Sequence, residues 1–179
     1  PPRHRTLAAA LDWSYEVLPE TERLVLRRLS VFAGTFTLEA AGAVVAGIDM
    51  FAADLVEAVS NLVEKSLVTA DVGGAIALYR LLDTTRAYAR RKLGECGERE
   101  TFLRRHAEYH RDLFRQAETE WEVRPSDDWA ADYPRRIDDL RTALDWAFST
   151  HGDAGIGVAL TVAALPLWSH LSLMEECRT

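Results

Sequence analysis

His106 and His110, four residues apart, are the pair whose types and spacing could do chemistry. On a helix this separation sets two imidazoles on one face, one turn apart, where both could ligate a metal. A zinc site needs three or four ligands, and no third follows at a recognisable spacing, so no metal is expected. Carboxylates are plentiful, but none is singled out by the apolar setting that tunes a general acid. The chain contains no Gly-x-x-x-x-Gly-Lys-Ser/Thr phosphate loop, no Gly-x-Ser-x-Gly elbow and no His-Glu-x-x-His motif. No catalytic residue emerges, and the chain is expected not to be an enzyme.

Composition narrows the classes further. The chain has 179 residues, of which 48% are hydrophobic and 27% charged, enough apolar material for a packed core. Its net charge of -7 lacks the overall footprint of a nucleic-acid binder. Cys96 and Cys177 lie far apart and read as two reduced thiols of a cytoplasmic protein. No run of about 18 apolar residues is present, so no membrane crossing is expected. The chain opens Pro1-Pro2-Arg3-His4 without a methionine and reads as a piece of a longer protein.

Hydrophobic spacing and breakers set the elements. A first helix spans Thr6 to Val17 and breaks at Leu18-Pro19. A second carries Leu24, Val25, Leu26, Leu29 and Phe32 and should end at Gly34. Thr37 caps a third, Leu38 to Ala46, and a fourth runs from Phe51 to Lys65. These two form a helix-turn-helix pair. Two strands then pair across Gly73-Gly74, glycines suited to a tight turn with positive φ. Asp83 should cap a helix from Thr84 to Glu95, closed by Gly97. A long helix follows, Glu98 to Glu120, with Phe102, Leu103, His106, Tyr109, Leu113 and Phe114 on it. Glu122 to Asp132 reads as a linker, and helices Asp132–Ser149 and Ala154–His170 complete the chain. The fold class is therefore mainly α: a winged helix, that is, a helical bundle with a two-stranded β-hairpin wing, followed by antiparallel, repeat-like helical hairpins. The expected domains are residues 1–97, 98–121 (connecting helix), 122–132 (linker) and 133–179.

A helix-turn-helix reader places its second helix in the major groove. Here that helix carries Asp54, Glu57, Glu64 and Lys65, and the wing tip Asp71-Val72-Gly73-Gly74 has no Lys or Arg. Phosphates repel such a surface, so DNA binding by this segment is not expected. The arginines after Asp83 (Arg86, Arg90, Arg91) and at 104, 105, 111 and 115 read as a solvated face offset by Glu95, Glu98, Glu100 and Glu108.

Three motifs carry a family resemblance. Ser14-Tyr15-Glu16-Val17-Leu18-Pro19 and the helix ending in Phe32 resemble the opening of the winged helix of NB-ARC ATPases, which are STAND-type switch proteins. Leu62-Val63-Glu64-Lys65-Ser66-Leu67-Val68 is similar to that family's Leu-x-x-Lys-Ser-Leu-Ile run. Leu81-Leu82-Asp83 with Arg86 stands where the family has Met-His-Asp and its following Arg. The closest-looking class is the large bacterial regulators of the SARP type, and Asp139 to His170 resembles the start of their tetratricopeptide-like repeats. The resemblance implies a regulatory module, with ATP or ADP bound in an upstream ATPase domain and helical repeats downstream, and no cofactor in this segment. It also implies nucleotide sensing near Leu82, Asp83 and Arg86. An aliphatic Leu82 in place of histidine cannot donate the family's hydrogen bond to the β-phosphate. Its simplest use, like that of Leu81, is core packing. The alternatives from the residues themselves are a DNA-binding helix-turn-helix module and a helical protein-interaction scaffold with a protein partner.

Overall fold

The computed structural model describes residues 2–47, 50–120, 134–165 and 167–168. The expected linker at 122–132, Cys177 and the last residues of the final helix lie outside them. The chain divides into two compact units, Pro1–Phe102 and Leu103–Thr179.

In the first unit, α1 (Pro2–Glu16) is followed by α2 (Glu20–Leu29), α3 (Leu38–Val45) and α4 (Ala52–Glu64). Strands β1 (Val68–Asp71) and β2 (Leu78–Leu81) pair antiparallel, Val68 opposite Leu81, and α5 (Asp83–Glu95) follows. α2 is the hub: it packs on α3, α4 and α5 and buries Val25, Leu26 and Leu29. Leu55, Val59 and Leu62 of α4 and Ala89 and Leu93 of α5 close the core around it. Phe36 makes an isolated antiparallel bridge to β2, exchanging two 2.8 Å backbone bonds with Tyr79. Helix order, strand pairing and burial together form a winged helix.

Local chemistry moves several ends from their expected places. α2 stops at Leu29, well before Gly34. Ser30, Val31 and Phe32 donate three residues back, to Arg27, Arg28 and Leu29, so the last turn tightens and the chain leaves the helix early. The Ser30 hydroxyl also donates to the Arg27 carbonyl at 2.6 Å. Thr37 caps α3 as expected, its hydroxyl accepting the Ala40 N–H at 3.1 Å. Asp83 is the first residue of α5 and not its cap; Leu82 occupies the cap position and makes no side-chain bond there. The hairpin does not turn tightly on Gly73-Gly74. Neither glycine has positive φ, and a loop of residues 72–77 joins the strands, with the Asp71 carboxylate accepting the Gly73 N–H at 3.0 Å.

Two helices end in the same way. After α4, Ser66 has φ of 58° and donates to Val63, while Leu67 donates to Leu62. After α5, Gly97 has φ of 71° and donates to Gly94, while Glu98 donates to Leu93. Both are Schellman endings, but only the second has the glycine that left-handed backbone favours.

The second unit contains most of α6 (Arg99–Glu120), a 3-10 turn (Pro134–Arg136), α7 (Ile137–Ala147) and α8 (Ala154–Ala163). α7 and α8 pack on each other, with Leu140, Ala143, Ile156 and Leu160 buried. Gly152 in their connection has no room for a side chain: a Cβ there would lie 2.0 Å from the Trp146 carbonyl oxygen. Asp153 caps α8, accepting the N–H groups of Gly155 and Ile156. Val158 and Val162 on α8, and Leu165 just past its end, are exposed apolar side chains.

Candidate functional site

The helix-turn-helix surface is built by α3 and α4. Leu55, Ala58, Val59 and Leu62 turn one side of α4 inward, so its outer side carries Asp54, Val56, Glu57 and Ser60. Phe51, just ahead of the helix, is 81% exposed and Val56 44% exposed. The outer side is thus acidic and apolar, with no cation in α4 itself. Lys65, just past its end, pairs with the buried Glu22 of α2. A cleft between α2 and α4 is lined by Pro19, Glu22, Asp54, Glu57 and Asn61. The wing tip adds exposed Val72 and Ile76.

The cations of this unit are largely held by acids of the same unit. Glu98 accepts from Arg27 Nε at 2.9 Å and from Arg28 Nη2 at 2.7 Å, and the Arg28 guanidinium also stacks over Phe102 at 4.4 Å. Burial pushes the Glu98 carboxyl up, but the hydrogen bonds from Arg28 and Arg27 outweigh it and hold it below its ordinary value. Arg91 and Lys92 pair with Glu95 and Asp12. The Tyr88 hydroxyl donates to Asp12 at 2.7 Å; this bond lowers the Asp12 pKa.

Leu82, Asp83 and Arg86, singled out by the resemblance, stand together at the wing's return into α5. Leu81 is buried, but Leu82 is 49% exposed, which corrects its assignment to the core. Leu81 ends β2 on its buried side, whereas Leu82 has left the strand and caps α5 facing outward. Asp83 is exposed and faces Arg86 Nη2 at 3.5 Å and Arg80 Nη2 at 3.7 Å. Arg86 also donates to the Ala33 carbonyl at 2.8 Å, tying α5 to the chain after α2.

A second cluster was only half read in the sequence, which gave the His106–His110 pair and no third partner. His106 and His110 of α6 are both buried, and so is Asp139 of α7. His106 Nε2 lies 3.0 Å from Asp139 Oδ1, and His110 Nδ1 lies 2.9 Å from the His106 carbonyl oxygen. A carbonyl only accepts, so His110 Nδ1 carries the proton. Burial, and after it the neighbouring His106, pushes the His110 pKa down to about 3, so this ring is neutral at ordinary pH. The missing third partner is Asp139, 33 residues from His106. Only its place one turn into a helix that must pack on the histidines could have signalled it. No helix among the described residues is long and apolar enough to cross a membrane.

Comparison with known proteins agrees with this geometry. Residues 18–94 match the family described as the winged helix-turn-helix domain. The chain is 37% identical, over 97% of its length, to a protein of Mycobacterium tuberculosis (strain ATCC 25618 / H37Rv), provisionally named an HTH-type transcriptional regulator. A Mycobacterium bovis protein of the same provisional name matches equally. An uncharacterized Mycobacterium tuberculosis protein is 39% identical over 59% of the chain, which covers 27% of that relative. The chain spans only 19% of the length of the two named relatives. No solved structure matches. These names favour the DNA-binding alternative over the expectation that the segment leaves DNA alone, while the charges of α4 run the other way. Fold and family match together make residues 18–94 a winged helix-turn-helix domain.

Proposed function

We propose that this chain is a non-catalytic regulatory module of a larger HTH-type transcriptional regulator, and that its helix-turn-helix docks on protein. The observation that carries this reading is the outer side of α4, where Asp54 and Glu57 flank exposed Phe51 and Val56 and the helix has no cation. Carboxylates at that position repel phosphates, while exposed aromatic and aliphatic side chains suit a protein contact. The family resemblance extends the reading: the partner is an upstream ATP- or ADP-binding domain of the same protein, and the Asp83–Arg86 corner faces it. In the whole regulator, removing this segment then changes the rate of nucleotide exchange. The direct test is fluorescence anisotropy of this chain against labelled random duplex DNA at low and moderate salt. The expected result is no binding at low salt, where phosphate attraction is strongest.

A second reading, DNA contact by the same module, is supported by the domain match and by the names of the relatives. Binding that weakens steeply with salt would establish it. The contact would then run through exposed Arg80 on β2, and Arg80→Ala would lower both affinity and salt slope.

A further inference from the structure

We propose that His106, His110 and Asp139 form a binding site for a divalent transition-metal ion of the zinc class. Each residue offers one ligand atom, and these atoms lie within 4.8 Å of one another. Two imidazoles and one carboxylate are a donor set that zinc accepts, leaving a fourth position open. Ligand atoms at about 2.1 Å around a tetrahedral ion lie about 3.4 Å apart, so pairs separated by up to 4.8 Å must close by up to about 1.4 Å on binding. The 3.0 Å separation of His106 Nε2 from Asp139 Oδ1 already fits.

The tautomer of His110 supports the assignment independently. Its Nδ1–H is committed to the His106 carbonyl, so in the neutral ring the lone pair resides on Nε2. A ligating histidine is normally oriented in this way, with its other ring N–H on a backbone carbonyl or a carboxylate. At His106 the metal would take the place of the proton between Nε2 and Asp139, and that proton would move to Nδ1 of the same ring. The ion would join α6 to α7 at the centre of the second unit.

The test uses the whole 179-residue chain, stripped with a chelator and titrated with zinc in a calorimeter. One ion bound per chain, with a raised melting temperature, is expected. His110→Gln should weaken binding by at least about tenfold. Cys96→Ser, which removes an exposed thiol able to hold zinc adventitiously, should leave it unchanged. No stoichiometric binding, or equal binding by His110→Gln, overturns the proposal. Should that variant fail to fold, cobalt(II) added to the unaltered chain decides. Tetrahedral visible absorption without a thiolate charge-transfer band supports the site, and a thiolate band or no such absorption overturns it.

Discussion

Among the described residues, a polar cluster of each unit can be set against that of the other, and the two solve the burial problem differently. In the first, Arg27 and Arg28 keep their charges and are matched by Glu98 at 2.9 and 2.7 Å. Guanidinium cannot shed its proton, so burial obliges the fold to supply an anion. In the second, His110 gives up its charge and donates to the His106 carbonyl, while Asp139 faces His106 at 3.0 Å. The first arrangement is insensitive to mild acid and intolerant of losing a partner. The second keeps His110 neutral, so its ring takes a proton only on unfolding or in strong acid.

The largest test of this contrast is Glu98→Gln. It removes the anion facing two nearly buried guanidiniums and should cost about 3 kcal/mol in urea unfolding of the first unit. A loss below about 1 kcal/mol would mean that solvent already neutralises those arginines. The second test is acid. His110 has its native pKa lowered to about 3, beneath the ordinary value of 6.5, so the unfolded chain binds one more proton between those limits. Stability should therefore fall with falling pH, by about 1.4 kcal/mol per pH unit, or about 2 kcal/mol from pH 6.5 to 5. Most of this range lies above the carboxylates, so Glu98 adds only a small slope of the same sign as pH nears 5. His110→Gln should remove that slope; an unchanged slope would place the titrating group elsewhere. Third, Asp139→Asn keeps an oxygen that accepts from His106 and should cost only about 1 kcal/mol, measured by thermal melting. A loss as large as that of Glu98→Gln would show that the histidine cluster also depends on a full charge. The smallest effect calibrates the others outside both clusters. Ser66→Gly relieves a left-handed residue and should raise stability by about 0.5 kcal/mol.

The wing and its helices were legible in the sequence because their signals are local. The Thr37 cap, the Gly97 ending and the apolar stripes of α2 and α4 each act within a few residues. Errors arose where a short-range competitor won. Ser30 and its i-3 bonds ended α2 before Gly34 could, and the Asp71 carboxylate shaped the hairpin loop in place of its glycines. Leu82 was misread as core because the strand ends at Leu81 and Leu82 already caps α5, facing outward. The acidic outer side of α4 was legible from charge alone. The histidine cluster was half legible: helical spacing predicts that His106 and His110 share a face, but no local rule reaches Asp139 across the intervening chain.

Asp153 receives the first N–H groups of α8 and also Arg104 of α6, at 3.0 Å. The Arg104 hydrogen bond, then the backbone N–H groups, hold its carboxyl below the ordinary range. Fraying of that first turn is therefore linked to the ionic atmosphere around an exposed arginine. Hydrogen–deuterium exchange at Gly155 and Ile156 becomes a gauge of α6 as well as of α8: salt that screens Arg104 should quicken exchange at those two amides before it is felt deeper in the helix.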